Sequence, residues 1–556
     1  MTIVNTTRCA DILIREMVAL GMRKCFSVSG NQIMAVYDAA IDSGLQIIHT
    51  RHEAAAVHMA DAWGRLTGEP GVALVTAAPG FTNCLTALYV AKLAESPVVL
   101  LSGDAAIRTD GRGGFQELDQ VTMAGPVTKR SWRVNDPTRI REDFRRAVAL
   151  AKAGRPGPVH LSLPVDVLEA ELALEEFLAP VGVEPTLTSA SVEAKKEVIA
   201  ILRSARRPLL IGGAGVMRTA AFRELRAVGD EVGLPVVGAE SPRGLNDPSL
   251  GALADATVKA DVVVLVGKAL DNALNFGSTP GFHPKCRFLQ IDADSGVLAQ
   301  ARRNVPEADR LYQVREDDVV ATISPCIRKA ANGTHWDAAW SEEVRTAVDY
   351  RPESWRLTSG SRKHTVEVLD AVQEFLGSGS ESIFVSDGGE FGQWAQACIK
   401  AEKRVINGPS GAIGGGIPFA IGARAAFPAA RIVTVIGDGT FGFHALEFDT
   451  ALRYDLPFIA VVGNDAGWNA EIQIQIRRFG KDRVMGCELL PTRYDELAEA
   501  LGCYGRQAEN GSEVRNSLDS AWNSKKPSCI NVKVGRVAAP IVRKYSGRQN
   551  SDQAVS

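Results

Sequence analysis

Two short clusters of acidic and small residues carry the groups best suited to holding a metal ion. One apolar run of the sequence ends in Gly437-Asp438-Gly439, and a second ends in Asn464-Asp465. Carboxylate and amide oxygens suit Mg²⁺, which prefers to share its coordination shell with phosphate oxygens. The glycines leave room for a diphosphate to approach the backbone. The alternative, a pair of strand-end turns with solvated aspartates, is weakened because the two clusters occur together.

The elements around these clusters must bring them together in space. Residues 431–469 have the pattern strand, loop, helix, strand, with a helical stretch from about Phe443 to Tyr454. This is one βαβ unit of a parallel sheet, and both clusters follow its strands. Open α/β sheets bind ligands at the carboxyl ends of their strands, where a following helix also offers free N–H groups. We therefore expect Asp438 and Asp465 to be neighbours.

A third acidic residue, Glu53, lies in the stretch HTRHEAAAVHMADAWGRL. It follows a predicted strand, Leu45–Thr50, and opens an apolar helix. Its carboxyl group would therefore lie at a strand end, among apolar residues. The alternative is structural. Thr50-x-x-Glu53 is also a capping box, in which Glu53 would only satisfy the first N–H groups of the helix.

Charge and cysteine content narrow the class of protein. The net charge is −3 over 556 residues, which gives no electrostatic case for nucleic acid or a membrane surface as partner. No apolar run of about 18 residues occurs, so no membrane span is expected. The nine cysteines are scattered without metal-ligand spacing, which is typical of reduced thiols and predicts a cytoplasmic protein.

Alternating apolar strands and helical stretches divide the chain into three α/β units, each predicted to be a doubly wound parallel sheet. The predicted domains are residues 1–175, 192–340 and 364–540, followed by a polar, basic and mobile tail at 541–556. Leu172–Ser191 and His335–Arg362 have the composition of linkers. In the middle domain a glycine-rich loop, Gly212–Gly215, follows a strand, but it lacks the third glycine of the dinucleotide fingerprint and could be a tight turn without a ligand.

The spacing of GDG and Asn-Asp resembles the magnesium–diphosphate motif of thiamine diphosphate enzymes. The resemblance implies that Asp438, Asp465 and the backbone carbonyl of Gly467 bind Mg²⁺. This chain has Asp465 where the family usually has a second asparagine, which adds negative charge beside the diphosphate. The three-domain organisation also matches the family's pyrimidine-binding, central and diphosphate-binding domains. The resemblance therefore implies a homodimer or tetramer with active sites at the subunit interface.

The resemblance also assigns roles to individual residues. Glu53, in the motif RHEAAAxH, would hydrogen-bond the cofactor's aminopyrimidine, and Gln116, in GFQELDQ, would lie beside the reacting carbon. Glu488, in an otherwise apolar segment, is a speculative acid–base group whose alternative is a solvated loop residue. The bulky Ile413 would force the cofactor into its bent shape. The other implied cofactor-binding positions are Gly30, Asn31, Pro79, Asn83, Gly389, Glu390, Gly411, Gly437, Gly439, Thr440 and Trp468.

The GFQELDQ stretch, the RYDLP turn and the SGRQN tail resemble the oxalyl-CoA decarboxylase and 2-hydroxyacyl-CoA lyase branch of the family, whereas the NDAGWNAEIQ and RVMGCELLPTRYDELAEALG segments resemble benzaldehyde lyase as closely. The predicted reaction is cleavage of a 2-hydroxyacyl-CoA to an aldehyde or ketone and formyl-CoA, or its reverse. A basic tail with Arg543, Lys544 and Arg548 would suit a CoA, as would an ADP site near Gly213–Arg218 and Asp292, although the central domain could hold ADP, FAD or nothing.

Four alternatives stay open. An acetolactate synthase-like carboligase would act on pyruvate, and a benzaldehyde lyase-like enzyme would cleave a 2-hydroxyketone. Ser29 and Gln32 stand where benzaldehyde lyase-like enzymes carry histidines, which argues against the second. A dinucleotide-dependent oxidoreductase would rest on the Gly213 loop alone. A non-catalytic cofactor-binding subunit would not need Glu53.

Overall fold

The computed structural model describes residues 6–173, 188–333, 335–357, 360–377, 379 and 381–543. The chain divides into two compact units. The first unit is formed by residues 1–186, 417–430 and 444–458, and the second by residues 187–416, 431–443 and 459–556. The tail residues Lys544 and Arg548 lie outside the described residues.

The strands are β1 (Thr6–Arg8), β2 (Lys24–Ser27), β3 (Gln46–His49), β4 (Gly71–Val75), β5 (Val98–Asp104), β6 (Arg130–Arg133), β7 (Val159–Pro164), β8 (Glu171–Ala173), β9 (Pro208–Gly212), β10 (Val236–Gly238), β11 (Val262–Val266), β12 (Arg287–Asp292), β13 (Leu311–Arg315), β14 (Ser382–Asp387), β15 (Lys403–Ile406), β16 (Arg431–Gly437), β17 (Ile459–Asn464), β18 (Tyr504–Ala508) and β19 (Ser528–Lys533).

The α-helices are α1 (Cys9–Ala19), α2 (Met34–Ala40), α3 (Glu53–Thr67), α4 (Pro79–Thr82), α5 (Leu85–Leu93), α6 (Gln120–Ala124), α7 (Ile140–Lys152), α8 (Val165–Leu168), α9 (Val192–Arg203), α10 (Ala214–Met217), α11 (Ala220–Val232), α12 (Leu253–Thr257), α13 (Ser295–Asn304), α14 (Val319–Ala331), α15 (Trp340–Asp349), α16 (Ser354–Leu357), α17 (Ser361–Leu376), α18 (Gly389–Cys398), α19 (Gly416–Ala426), α20 (Asp438–Phe441), α21 (Glu447–Arg453), α22 (Asn469–Phe479), α23 (Tyr494–Ala500) and α24 (Gly511–Ser524). Short 3₁₀ turns cover Asn31–Ile33, Ile107–Thr109, Gly125–Val127, Pro137–Arg139, Gly244–Asn246, Pro248–Leu250, Asn272–Gly277 and Lys481–Arg483.

The first unit is built on one parallel sheet of six strands in the order β3-β2-β4-β5-β7-β6. Its central strands β4, β5 and β7 are buried along their whole length. Strands of a parallel sheet need apolar residues on both faces because helices cover both sides. A separate antiparallel pair, β1 with β8, lies outside this sheet.

The second unit contains two further parallel sheets. One has the order β10-β9-β11-β12-β13, and the other has the order β15-β14-β16-β17-β19-β18. In the latter, Gly437 of β16 pairs with Gly463 of β17. This register brings the two acidic clusters, which follow these strands, to the same edge of the sheet.

The predicted fold class is confirmed, since the three sheets are parallel throughout. Six strands were not predicted from the sequence: β1 and β8, which form the separate antiparallel pair, and β6, β13, β15 and β18, each of which lies at an edge of its sheet. Edge strands tolerate charged residues, as in Arg130–Arg133, and so lack the apolar run that identifies a central strand.

The segment 335–362 is not a simple linker, because it contains α15 and α16 and buries Trp340.

Two further findings concern membrane-spanning helices and cysteines. Within the described ranges, no helix is both long enough and apolar enough to cross a membrane. All nine cysteines are free thiols.

Candidate active site

A cleft in the second unit opens at the carboxyl ends of β14, β16 and β17 and has a cavity volume of about 50 Å³. Its lining includes ten of the residues that the sequence analysis singled out for cofactor or metal. These are Gly389, Glu390, Ile413, Gly437, Asp438, Gly439, Thr440, Asp465, Gly467 and Trp468. These residues lie up to 79 positions apart in the sequence, from Gly389 to Trp468. They nevertheless meet at one edge of one sheet.

The carboxylates of Asp438 and Asp465 are the chemical centre of this cleft. Asp438 is 2% exposed, and it accepts hydrogen bonds from the N–H groups of Gly439 (2.9 Å) and Gly467 (3.2 Å). Burial raises the pKa of Asp438. Burial and the neighbouring charge of Asp438 together raise the pKa of Asp465 to about 7. A cation bound beside both carboxylates would favour the charged form of each.

The cleft fits a hard cation. The Oδ1 atom of Asp465 is buried and has no hydrogen-bond partner among the described residues. A buried carboxylate oxygen without a partner is costly unless a ligand satisfies it. No group of three or more His, Cys, Asp or Glu side chains in the described ranges is arranged to hold a metal ion. The Mg²⁺ set implied by the resemblance needs only two carboxylates and a carbonyl, with phosphate oxygens completing the shell.

Two glycines make the cradle for a diphosphate narrow enough to exclude side chains. A Cβ atom at Gly439 would lie 2.9 Å from the indole ring of Trp468. Gly388 has φ +61°, and a Cβ atom there would lie 2.3 Å from the hydroxyl of Thr440. Both positions therefore require glycine.

The glycine-rich loop before α19 is fixed by an acid that the sequence analysis did not single out. Asp387, at the end of β14, accepts from the N–H groups of Gly414 (2.9 Å) and Gly416 (2.7 Å) through its Oδ2. These bonds hold Ile413 at the wall of the cleft. Gly411, at the start of the loop, has φ +69°, which explains why glycine occurs there. The position of an acid directly after an apolar run was the available signal for Asp387.

Glu390 lines the cleft, but its charge is already compensated. Its Oε2 accepts from the N–H of Ala539 (2.8 Å) and pairs with the guanidinium of Arg243 (3.3 Å). The neighbouring Gly389 has φ +61°, where α18 begins. Glu390 can therefore border a diphosphate without adding an uncompensated negative charge.

The structure places Glu488 in an ion pair. Its carboxylate binds the guanidinium of Arg536 through two contacts of 2.9 and 2.5 Å, and the side chain is 63% exposed. The hydrogen bond from Arg536 lowers the pKa of Glu488. A carboxylate held in its charged form by an arginine is poorly suited to donating a proton. The acid–base role stays a prediction without support from this geometry.

In the first unit, Glu53 is the first residue of α3. The capping-box alternative is wrong, because the residue that caps the helix is His52, whose Nδ1 accepts from the N–H of Ala54 (3.1 Å). The carboxylate of Glu53 instead accepts a hydrogen bond of 2.8 Å from the side-chain amide of Asn83. The structure thus joins Glu53 to the predicted pyrimidine loop.

That loop, which carries Pro79 and Asn83, is held by a residue that the sequence analysis missed. Gln120 is almost fully buried, and its Oε1 accepts from the N–H of Ala78 (2.9 Å), a residue with φ +46°. Its amide nitrogen donates to the hydroxyl of Ser162 (3.1 Å) among others. Gln120 is the last residue of the GFQELDQ stretch, but its partners lie on β5, on β7 and before α4, so the stretch alone does not reveal this role.

Gly30 and Asn31 follow β2, and Gly30 lies beside Thr76, the residue after β4. A Cβ atom at Gly30 would lie 2.3 Å from the Cβ of Thr76, so only glycine fits. Asn31 begins a 3₁₀ turn.

Gln116 lies on the loop after β5, with φ +59° and a half-buried side chain. A positive φ at a residue other than glycine occurs mostly where the surroundings fix the backbone, which often means a functional site.

Glu447 of α21 is a further residue that the sequence analysis missed. It is 1% exposed, and its Oε1 accepts from the N–H groups of Arg51 (3.0 Å) and His52 (3.1 Å), directly before Glu53. Its Oε2 accepts from the hydroxyl of Thr450. Burial raises the pKa of Glu447 to about 7. Its partners lie almost 400 positions away in the sequence, so no local pattern identifies them.

The nucleotide-site residues predicted in the middle of the chain have structural partners. A Cβ atom at Gly213 would lie 1.9 Å from the carbonyl of Gly267, so close backbone packing already requires this glycine. Asp292 accepts from the N–H of Asp294 and is fully buried. The side chain of Arg543 donates to Asn246 (2.6 Å). The contacts within the described residues do not distinguish an ADP site from a segment that binds no ligand.

Comparison with known proteins matches three stretches of the chain to domains of one family. Residues 7–123 match the thiamine pyrophosphate enzyme N-terminal TPP binding domain, 196–313 match the central domain, and 387–532 match the C-terminal TPP binding domain. The chain is 31% identical to 2-hydroxyacyl-CoA lyase 2 of Bos taurus and of Homo sapiens, over 93% of this chain and 88% of each relative. It is 28% identical to a probable acetolactate synthase large subunit of Methanocaldococcus jannaschii, over 96% of this chain and 93% of that protein.

Proposed function

The chain belongs to the thiamine pyrophosphate enzyme family, and we propose that it is a Mg²⁺-dependent carbon–carbon lyase that cleaves a 2-hydroxyacyl-CoA to formyl-CoA and an aldehyde or ketone, or forms it in reverse. The observation that carries this choice of substrate is the 31% identity to 2-hydroxyacyl-CoA lyase 2 across 93% of the chain. The family itself, its cofactor and the class of lyase or carboligase follow from the matched domains.

The cleft of the second unit would hold the metal and the diphosphate. Asp438, Asp465 and the carbonyl of Gly467 are the proposed Mg²⁺ ligands, supported by the unpartnered oxygen of Asp465. The proposed diphosphate site is the glycine cradle at the start of α20, where Gly437 and Gly439 carry no side chain that would keep an anion from the backbone. Ile413 would support the bend of the cofactor.

Glu53 and the loop around Asn83 would hold the pyrimidine ring. When bound, the cofactor supplies a nucleophilic thiazolium carbon. In the proposed mechanism Glu53 holds a proton at the distal ring nitrogen, and Asn83 fixes the orientation of its carboxyl group through the 2.8 Å hydrogen bond. The neutral amide of Gln116 would hold the carbonyl oxygen of the substrate, where charge develops during the reaction.

The assembly, the central domain and the compartment are parts of the same proposal. We infer a homodimer or tetramer in which Glu53 of one chain serves the Asp438–Asp465 cleft of another. ADP in the central domain would fit a CoA-dependent enzyme, as the adenine nucleotide is part of CoA. A cytoplasmic location stays a prediction from the free cysteines.

A carboligase that acts on pyruvate is the second candidate. It is favoured by the relatives whose names are acetolactate synthase, at 28 to 29% identity over 95 to 96% of the chain. A benzaldehyde lyase-like activity has the weaker case, because Ser29 and Gln32 replace two histidines. In the structure the hydroxyl of Ser29 lies 3.0 Å from Nε2 of His49, so an imidazole is present at this edge of the sheet.

One incubation separates these candidates. The protein is supplied with thiamine diphosphate and Mg²⁺, offered a 2-hydroxyacyl-CoA and pyruvate in separate reactions, and the products are identified by mass spectrometry. The lyase releases formyl-CoA and an aldehyde or ketone from the first substrate, whereas a synthase forms acetolactate from the second. Glu53→Gln is the matched control, because it removes the proton-holding carboxyl with little change in shape. Acetolactate as the only product would overturn the proposed substrate.

A further inference from the structure

The proposed Mg²⁺ ligand Gly467 is part of a short two-stranded ribbon. Gly467 and Glu488 form an antiparallel bridge. The N–H of Trp468 donates to the carbonyl of Cys487 (2.8 Å), and the N–H of Leu489 donates to the carbonyl of Ala466 (2.8 Å). The residues around Gly467 are thus held by hydrogen bonds to a segment 19 to 23 positions later in the chain.

The guanidinium of Arg536 joins both strands of this ribbon. Its Nε donates to the carbonyl of Asp465 (3.1 Å), and its Nη2 donates to the carbonyl of Ala466 (2.7 Å). The same group forms the two-contact ion pair with Glu488. Only the planar fork of arginine presents donors in several directions at once, so lysine would not reproduce this set.

The backbone under Arg536 needs such support. Ala466 has φ +55°, a conformation that residues with a Cβ atom rarely adopt. A Cβ atom at Gly467 would lie 3.1 Å from Nη2 of Arg536 and 3.2 Å from the carbonyl of Cys487. The guanidinium and the ribbon therefore pack directly against the proposed ligand Gly467.

We propose that Arg536 and Glu488 are positioning residues, which together hold residues 465–467 in the conformation that binds Mg²⁺. This inference rests on the proposed metal site. It gives Glu488 a different role from the acid–base group suggested by the sequence, because its carboxylate orients Arg536 rather than contacting the substrate. A surface ion pair alone contributes little to stability, but here it fixes a group that also binds two backbone carbonyls.

The test is calorimetric titration of Mg²⁺ into the protein at saturating thiamine diphosphate, combined with turnover at saturating Mg²⁺. Arg536→Met keeps the length of the side chain and removes every donor, and we expect it to weaken Mg²⁺ binding about tenfold or more. Glu488→Gln should weaken binding about threefold, since Arg536 keeps its carbonyl contacts. Both variants should recover most of their turnover once Mg²⁺ is saturating, as neither residue acts on the substrate.

Arg515→Met is the matched control, because Arg515 forms a comparable exposed pair with Glu374 elsewhere in the same unit. Equal Mg²⁺ affinities for Arg536→Met and Arg515→Met would overturn the proposal. A loss of turnover and a changed pH profile in Glu488→Gln, with Mg²⁺ affinity intact, would instead restore the acid–base role and also overturn it.

Two further measurements keep the result interpretable. Thermal unfolding shows whether Arg536→Met is folded. If it is not, Arg536→Lys, which keeps the charge but not the planar guanidinium, should show the weakened Mg²⁺ binding instead. Unaltered Mg²⁺ binding in Arg536→Lys would count against the inference. Failure of the wild-type protein to bind Mg²⁺ with thiamine diphosphate would refute the proposed function itself, which is a different result from wild-type binding that Arg536→Met leaves unchanged.

Discussion

The buried carboxyl of Glu447 gives a quantitative prediction about stability. It bonds the backbone directly before Glu53, and burial raises its pKa from 4.5 to about 7. A carboxyl whose pKa is higher in the folded chain stabilises the fold at low pH. That contribution is complete below pH 4.5 and is lost as the pH rises through about 7. The expected loss between pH 5 and pH 8 is about 2 to 3 kcal/mol.

Glu447→Gln should remove this dependence. The amide keeps an oxygen for the N–H groups of Arg51 and His52 but does not ionise. Relative to wild type, the variant should therefore gain about 2 to 3 kcal/mol in free energy of unfolding when the pH is raised from 5 to 8. Urea unfolding at the two pH values, at fixed protein and cofactor concentration, measures the difference.

The local bonds provide a second readout and a control. In Glu447→Ala, the amides of Arg51 and His52 should exchange with deuterium faster, whereas Glu447→Gln should retain their protection. Arg515 lowers the pKa of the exposed Glu374, so Glu374→Gln should not gain stability at pH 8. The reasoning fails if Glu447→Gln and wild type differ by the same free energy at both pH values, or if Glu447→Ala leaves the exchange of both amides unchanged.

Three further changes test the site. Asp465→Asn, which keeps an oxygen ligand, should bind thiamine diphosphate with Mg²⁺ with an affinity within about threefold of wild type, whereas the affinity of Asp465→Ala should fall about tenfold or more. Equal calorimetric affinities for the two variants would contradict the ligand assignment. Gly439→Ala should cost about 1 to 3 kcal/mol of unfolding free energy, because its Cβ would lie 2.9 Å from the ring of Trp468, and unaltered urea unfolding would count against this close contact. Gln120→Leu leaves the N–H of Ala78 without its acceptor and should cost about 1 to 3 kcal/mol of unfolding free energy; unaltered thermal unfolding would refute that role.

The parts of the fold that could be predicted are those with strong local patterns. Central strands such as Val262–Val266 are apolar along their length and are followed by glycine or acidic residues, so both their existence and the ligand-binding edge follow from the sequence. The edge strands escaped because their solvent-facing sides carry charged residues. Arg130–Arg133 contains two arginines in four positions and pairs on one side only.

The site divides in the same way. Asp438, Asp465 and Glu53 follow strand ends and could be found from spacing and motif. Gln120, Glu447 and Arg536 could not, because each contacts backbone groups of a segment 42 to nearly 400 positions away. Such bonds depend on the tertiary fold, and a single glutamine, glutamate or arginine carries no local signal of them. The ion pair of Glu488 was missed for the same reason.

The most direct test of the account uses two inactive variants in one assembly. Glu53→Gln and Asp438→Ala chains are co-expressed with different affinity tags and purified through both tags, so that every assembly contains both chains. If Glu53 of one chain serves the Asp438–Asp465 cleft of another, each mixed dimer regains one intact site and shows about half of the wild-type lyase activity. Mixed assemblies as inactive as either variant alone would contradict the claim that the active site is shared between subunits.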